Sequence, residues 1–198
     1  MATTVEAPAA GDPIPANCAI MEVRVADLAQ LFQTIDPTPF RGRDLDPNVE
    51  KFIVDWAREI PSNKPIALLV HLDRSMGATD EALVVRDAIH QFFAQRAGAS
   101  RARLRQLFRQ GRISLVIGLA TLTGLILAAE FLGRRTSDTG LGPILHESLL
   151  IGGWVAMWRP LEVFLYDWWP IRAEARLFDR LAAMPVRLSY TRATRSTA

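Results

Sequence analysis

The chain has 198 residues, 49% of them hydrophobic, and a formal net charge of +2 at neutral pH. This length allows one ordinary domain with a hydrophobic core, and the single cysteine, Cys18, excludes an internal disulfide and a paired-cysteine metal site. The average composition is not extreme, but the apolar residues are concentrated after residue 112. The distribution of apolar and charged residues along the chain is therefore more informative than its overall composition.

The N-terminal segment, residues 1–18, is rich in proline and alanine and lacks the basic and apolar regions of a secretory signal. We predict a disordered tail there. Residues 19–25 alternate between apolar and polar side chains, which predicts a half-exposed strand. A short helix is predicted to follow, with apolar residues at Leu28, Leu31, Phe32 and Ile35.

The clearest helix of the N-terminal half follows Asp46, which can cap its first turn, while Pro47 suits its first position. Asp44, Asp46 and Asn48 also have the opening spacing of a calcium-binding loop, but Val49 stands where that loop needs glycine. We therefore predict a helix cap rather than a metal site. The predicted apolar stripe of this helix comprises Val49, Phe52, Ile53, Trp56, Ala57 and Ile60.

Residues 65–72 are apolar on both faces, as in a central strand. Residues 78–98 have a helical pattern that continues, past a possible break at Gly98, into a basic juxtamembrane segment at residues 99–112. We assign residues 19–98 to a small cytoplasmic α+β domain. The core candidates of its last helix are Leu83, Val85, Ala88, Ile89, Phe92 and Phe93.

Two long apolar runs follow, and the first, residues 113–132, contains one charge, Glu130. Twenty residues at about 1.5 Å each span roughly 30 Å, the thickness of a hydrocarbon core. Residues 144–166 form the second run, and residues 133–143 between them are polar and glycine-rich. We predict an integral membrane protein with a two-helix transmembrane hairpin and an external loop. The alternative, a buried helix of a soluble protein, is usually shorter and has a polar face.

Arginine is concentrated at the outer flanks of the two runs, in residues 101–112 and 170–198, whereas the loop holds only Arg134 and Arg135. Basic flanks favour the cytoplasmic side, so we predict that both termini are cytoplasmic. The chain has the general look of small bacterial inner-membrane proteins, which predicts that location. Anionic headgroups are the predicted partners of Arg101, Arg103, Arg105, Arg109, Arg112, Arg172, Arg176 and Arg180, although a solvated helix face explains the last three equally well.

Small residues recur every four positions on both runs, a spacing that lets helix backbones approach closely in lipid. They predict helix-packing faces, either within the hairpin or between subunits. The two sets are Ala120, Gly124 and Ala128 on the first run, and Ser148, Gly152 and Ala156 on the second.

The inner end of the second run carries opposite charges, Arg159 and Glu162, on either side of Pro160. Charges in hydrocarbon are costly, so we predict that Glu162 pairs with Arg159 or with Arg112 of the first run. Pro160 predicts a kink. Three interpretations of this end are open. It is a kinked helix end anchored at the membrane interface, or it forms an ion or proton path or a contact with a partner's helix. In the third, the helix breaks at Pro160 and continues as an interfacial helix. The predicted interface aromatics are Trp158, Tyr166, Trp168 and Trp169.

The remaining segments, residues 171–184 and 186–190, predict an amphipathic helix and a final strand. If this strand pairs with the N-terminal strands, both chain ends build one domain and the hairpin is an insertion into it. The spacing allows this pairing without establishing it.

Motifs of catalysis are absent from the sequence: it has no phosphate-binding loop, nucleophile elbow or kinase signature, and no cofactor or nucleic-acid partner is predicted. We predict a non-enzymatic membrane anchor, scaffold or accessory subunit whose cytoplasmic domain binds copies of itself or a larger membrane complex. One alternative is an oligomeric channel or transporter subunit that uses Arg159 and Glu162. Another is a membrane-bound hydrolase with a metal at His71, Asp73 and His90, although no metal-binding spacing unites these residues.

Overall fold

The computed structural model describes residues 9–26, 30–32, 44–72, 81–135 and 142–190. Its fold is α+β, as the sequence predicts, with one small sheet and two helices long and apolar enough to cross a membrane. The predicted helix around Leu28 and Ile35, and most of the predicted external loop, lie outside the described residues.

Two compact units make up the chain, and each has its own contacts. The sheet unit comprises Met1–Gly98 and Ala175–Ala198, and the hairpin unit comprises Ala99–Glu174.

Within the described residues the sheet has four strands, β1 (Ala9–Gly11), β2 (Ala19–Val25), β3 (Ile66–Leu72) and β4 (Val186–Tyr190). Their order across the sheet is β1–β4–β3–β2. The central strand β3 pairs in parallel with β2 on one side and with β4 on the other, while β1 pairs antiparallel with β4. The strand after the apolar helices therefore joins the strands before them, which answers the question that the sequence left open.

The alternation predicted for β2 is confirmed, because Met21, Val23 and Val25 are buried between exposed neighbours. β3 is buried along most of its length, as a strand between two others must be. These apolar side chains form the core of the sheet unit.

The prediction of a disordered tail is wrong for residues 9–11, which form β1. Gly11 has a φ of 115°, and a Cβ there would lie 2.6 Å from the carbonyl oxygen of Val186. The next residue, Asp12, donates its backbone N–H to the same oxygen at 3.0 Å. Three residues paired through their backbones carry no apolar alternation, so no pattern in the sequence indicates this strand.

Helix α1 (Pro47–Glu59) begins as predicted, since Asp46 Oδ1 accepts a hydrogen bond from the backbone N–H of Asn48 at 2.8 Å. The predicted stripe is wrong at Phe52, whose exposed fraction is 48%. Val54 is buried in its place, beside Ile53 and Ala57.

Helix α2 (Glu81–Arg135) is continuous for 55 residues, without the break considered at Gly98. Of its predicted core residues, Leu83 is 46% exposed, and the others, Val85, Ala88, Ile89, Phe92 and Phe93, are buried or nearly so. The second apolar run is helical from Gly142, in three parts: α3 (Gly142–Glu162), a π-helical segment (Val163–Asp167) and α4 (Trp168–Ala182).

Within the hairpin unit, α2 contacts α3 and the π-helical segment at glycines. A Cβ at Gly118 would lie 3.1 Å from the carbonyl oxygen of Ala156 and 3.4 Å from Cγ of Pro160. A Cβ at Gly153 would lie 2.5 Å from Cδ1 of Leu122. The absence of side chains at these positions is therefore what permits the close approach.

The predicted small-residue stripes take part in this contact at Ala156, whose carbonyl oxygen lies against Gly118. Ala120 and Gly124 are exposed, and a Cβ at Gly124 would meet no described atom within 4 Å. On α3, a Cβ at Gly152 would reach Cδ1 of Leu125 only at 3.8 Å. Within the hairpin, the close approach involves Gly118, Gly153 and the backbone of Ala156, and a role for the other stripe residues between subunits stays a prediction.

Candidate functional site

The hairpin unit exposes large apolar side chains along both long helices. Their most apolar 18-residue windows have mean hydropathies of 2.1 and 1.2, and only 11% and 17% of these windows are buried. The core helix of a soluble protein would be mostly buried instead. The most exposed apolar residues, each at least 60% exposed, are Val116, Ile117, Leu127, Ile144, Ile151, Trp154, Val155, Trp158, Tyr166 and Trp169.

These residues are not confined to one side of α2. At about 100° per residue, Gly118, Leu122 and Ala129 fall on the side of α2 that faces α3. The exposed apolar residues are distributed over the rest of the circumference. A helix that docks on one partner has a single apolar stripe, whereas a helix in lipid is apolar all round.

A polar cluster lies at the end of α3. Arg159 Nη1 is 3.1 Å from Glu162 Oε2, and it is also 3.5 Å from Asp167 Oδ2. Trp158 donates its indole N–H to Glu162 Oε1 at 2.9 Å. The structure thus pairs Glu162 with Arg159, while Arg112, the other predicted candidate, is an exposed residue of α2.

The π-helical segment explains why Asp167 joins this cluster. In a regular α-helix, two residues eight positions apart differ by about 80° around the axis. A π turn contains one more residue than an α turn, so Asp167 lies where the seventh residue after Arg159 would lie in a regular α-helix. That position is only about 20° from Arg159 around the helix axis. Pro160 lies just before this segment and lacks the N–H that the carbonyl of Ala156 would accept in a helix.

The aromatic residues near this end differ in their surroundings. Tyr166 and Trp169 are 71% and 64% exposed, as interface residues would be. Trp168 is partly buried, contacts Phe108 at a ring distance of 6.5 Å and donates its indole N–H to the carbonyl of Phe164. Trp168 therefore packs within the hairpin unit rather than standing free at its surface.

The predicted headgroup-binding arginines also divide into groups. On α2, Arg101, Arg103, Arg105, Arg109 and Arg112 are exposed. On α4, Arg172 lies 5.6 Å from the ring centre of Trp168 and Arg176 is exposed.

Arg180 departs from the predicted basic stripe. Its Nη2 donates to the carbonyl oxygens of Pro61 at 3.2 Å and Lys64 at 2.9 Å. These carbonyls belong to the turn after α1, so the guanidinium ties α4 to that turn inside the sheet unit. Sequence spacing cannot indicate an acceptor more than a hundred positions away.

A second ionic cluster, which the sequence analysis missed, lies in the sheet unit. Arg86 donates to Asp87 Oδ1 at 2.9 Å and to Asp12 Oδ1 at 3.1 Å. These hydrogen bonds, first to Asp87 and then to Asp12, raise the pKa of Arg86 above its ordinary value. Asp12 also accepts from the backbone N–H of Val186 at 3.4 Å, so the cluster connects β1, α2 and β4.

The two histidines of the metal hypothesis differ in their surroundings, because His71 Nε2 is buried without a hydrogen-bond partner among the described residues. His90 Nε2 forms a hydrogen bond to the carbonyl oxygen of Met184 at 2.8 Å, and this nitrogen is therefore engaged. His71 Nε2 lies 3.5 Å from Glu22 Oε2, and Asp73 lies outside the described residues. No cluster of three or more metal-ligating side chains occurs in the described part of the chain.

One surface of the sheet unit combines aromatic and charged residues. Phe52 and Trp56 of α1 pack edge to face at a ring distance of 5.4 Å. They line a shallow groove of about 430 Å³, and Lys51, Asp55 and Glu59 stand at its sides. Exposed aromatic residues of this kind are typical of protein interfaces.

Comparisons with known proteins add no assignment, because no family model, curated protein or solved structure matches the chain.

Proposed function

We propose that the protein is a non-enzymatic bacterial inner-membrane anchor or scaffold. In this proposal α2 and α3 cross the membrane as a hairpin, and the sheet unit lies in the cytoplasm and binds a partner protein. The observation that carries the proposal is the apolar surface around both helices, which is far from buried within the chain. Soluble monomers rarely expose contiguous apolar patches larger than a few hundred Å².

The polar groups of α2 in this region suit a lipid environment. The hydroxyls of Thr121 and Thr123 donate to the carbonyls four residues before them, at 2.9 and 2.8 Å. Glu130 is 3.3 Å from Arg134 at the outer end of the run. Hydroxyls and charges that are satisfied within the helix cost less in hydrocarbon.

The sheet supports a hairpin rather than a single crossing. β3 precedes the apolar helices and β4 follows them, yet these strands pair residue by residue from Leu68 and Val186 to Leu72 and Tyr190. This pairing supports a topology in which both ends of the hairpin lie on one side of the membrane and the number of crossings is even. The arginine-rich flanks favour the cytoplasm for that side.

Partner binding is proposed for the groove beside Phe52 and Trp56. Phe52 is 48% exposed although it belongs to a helix whose other face is buried in the core. Large rigid aromatics are the side chains that contribute most to protein-protein affinity.

Membrane insertion is tested by alkaline carbonate extraction and by cysteine labelling in a Cys18→Ser background. We expect the chain to stay in the membrane pellet. A membrane-impermeant maleimide should label Thr139→Cys in intact spheroplasts and Ala94→Cys only after lysis. Release by carbonate, or equal labelling of both cysteines, would contradict the hairpin.

Partner binding is tested by affinity purification in mild detergent with Phe52→Ser and with a matched surface change, Leu83→Ser. Both residues are about half exposed, at 48% and 46%, but Leu83 lies on α2. We expect Phe52→Ser alone to lose the co-purifying protein. A monomer with no partner, or equal loss in both variants, would count against this part of the proposal.

The polar cluster supports a second candidate, an oligomeric channel or transporter subunit, because Arg159 is 66% exposed. Two helices cannot enclose a pore, so several copies would have to line it. Liposome flux that falls in Arg159→Ala and Glu162→Gln would support this candidate. Absent flux, or flux indifferent to both changes, would remove it.

A further inference from the structure

The outer face of α3, formed by Ile151, Trp154, Val155, Trp158 and Arg159, is apolar and exposed. At about 100° per residue it lies opposite the side that contacts α2. It forms a groove of about 620 Å³ that ends at Arg159 and Glu162. Two polar features of this outer face are unusual for a surface that only touches lipid.

The first is Trp154, which is 71% exposed. It lies ten residues after the start of the apolar run at residue 144, about 15 Å along the helix and near the middle of a roughly 30 Å core. Tryptophan normally lies at the membrane interface, where its N–H reaches polar groups. Within the described residues the indole of Trp154 forms no hydrogen bond. An acyl chain offers no acceptor, whereas the backbone carbonyls of a facing helix each keep a second lone pair that can accept this N–H.

The second is the polar cluster, in which both ion pairs of Arg159 use Nη1. Its other N–H groups have no acceptor in the described part of the chain, and the side chain is 66% exposed. Buried or membrane-embedded guanidinium groups need further acceptors. Glu162 lies on the same face beside Arg159, so this end of the face carries a carboxylate acceptor as well as N–H donors.

We propose that the outer face of α3 is the contact with a second copy of this chain; this rests on the proposed membrane hairpin. A two-fold axis along the membrane normal brings residues of equal depth together. Arg159 then donates its available N–H groups to Glu162 of the partner subunit, and the reverse contact forms by symmetry. The outer face is therefore self-complementary, since it carries the donor Arg159 and the acceptor Glu162 at a similar depth in the membrane.

Disulfide cross-linking in membranes tests the contact in a Cys18→Ser background. Val155 and Val116 are both 68% exposed, but Val155 lies on the outer face and Val116 on α2. The contact of Gly118 with Ala156 places the two valines at similar depths. We expect an oxidised dimer with Val155→Cys and about tenfold less with Val116→Cys, since a disulfide needs Cα atoms within about 7 Å. Equal yields would overturn the proposal.

Charge exchange then tests the pair across the contact, with Val155→Cys as the reporter. Arg159→Glu and Glu162→Arg should each lower the cross-link yield about tenfold when expressed alone. Co-expression of the two variants should restore a cross-link between unlike chains, because opposite charges face each other again. A mixture that cross-links no better than either variant would overturn the intersubunit pair.

The same samples separate this proposal from the proposed function. Chains that resist carbonate extraction but show no selective cross-link would overturn the dimer and leave the hairpin standing. Chains released by carbonate would overturn both. A phospholipid retained by the intact chain in native mass spectrometry and lost in Arg159→Ala, without any cross-link, would assign the groove to lipid and overturn the dimer.

Discussion

Replacing Gly118 with alanine tests the close contact between α2 and α3. The new Cβ would lie 3.1 Å from the carbonyl oxygen of Ala156, 3.2 Å from Sδ of Met157 and 3.4 Å from Cγ of Pro160. The thioether can move, but a backbone carbonyl and a proline ring cannot without shifting α3. Overpacking of this kind typically costs about 1–3 kcal/mol.

Gly124→Ala is the matched control, because a Cβ there would meet no described atom within 4 Å. Both substitutions gain the same helix propensity, up to about 1 kcal/mol. The difference between the two variants therefore isolates the contact, and we expect Gly118→Ala to be less stable by about 1–3 kcal/mol. That difference is roughly 5- to 150-fold in the unfolding equilibrium.

Unfolding of the hairpin unit can be followed by tryptophan fluorescence during titration with SDS in mixed micelles. Only Trp56 of the five tryptophans belongs to the sheet unit, so a Trp56→Phe background makes the signal specific. If the two alanine variants unfold at the same SDS fraction, the helix contact through Gly118 is wrong.

Three further changes test the sheet unit, each measured by urea unfolding and circular dichroism. Asp46→Ala should cost about 1 kcal/mol through loss of the cap, whereas Asp44→Ala should be nearly neutral; equal effects would contradict the cap. Arg86→Leu should destabilise equally at about pH 6 and about pH 9. Its pKa is raised by its hydrogen bond to Asp87, and its contribution is lost only as pH rises through that raised pKa; a pH-dependent cost would contradict this. Arg180→Ala should cost about 1 kcal/mol and leave vesicle binding unchanged, and weaker vesicle binding at unchanged stability would restore its predicted lipid role.

Local patterns in the sequence predict the elements whose cause is local. The alternation of residues 19–25 marks a strand with one buried face, and Asp46 before Pro47 marks the start of α1. The apolar runs mark two long helices, because their length and composition are properties of consecutive residues.

Contacts between distant segments are what the sequence does not predict. β1 forms because backbone groups of residues 9–11 meet those of β4, and Arg180 finds carbonyls that another element positions. Helical spacing places Phe52 on the apolar stripe of α1, but spacing does not determine how wide the buried part of that stripe is. The choice of Gly118 over Gly124 for the helix contact has the same origin, since the small-residue pattern marks Gly124 but does not show which side of α2 meets α3.

The π-helical segment changes which residues share a face of the helix, and residue spacing in the sequence does not predict this change. The pair of Arg159 and Glu162 was predictable from their separation of three, but Asp167 joins them only because Val163–Asp167 adds a residue to its turn. Every residue after this segment is rotated by about 100° relative to a continuous α-helix. The face of α4 therefore cannot be extrapolated from the face of α3, and Trp168 packs against Phe108 although its position in the run predicts an interfacial side chain. The same rotation places the second carboxylate beside the guanidinium, so the polar end of the outer face of α3 depends on backbone geometry that side-chain spacing does not encode.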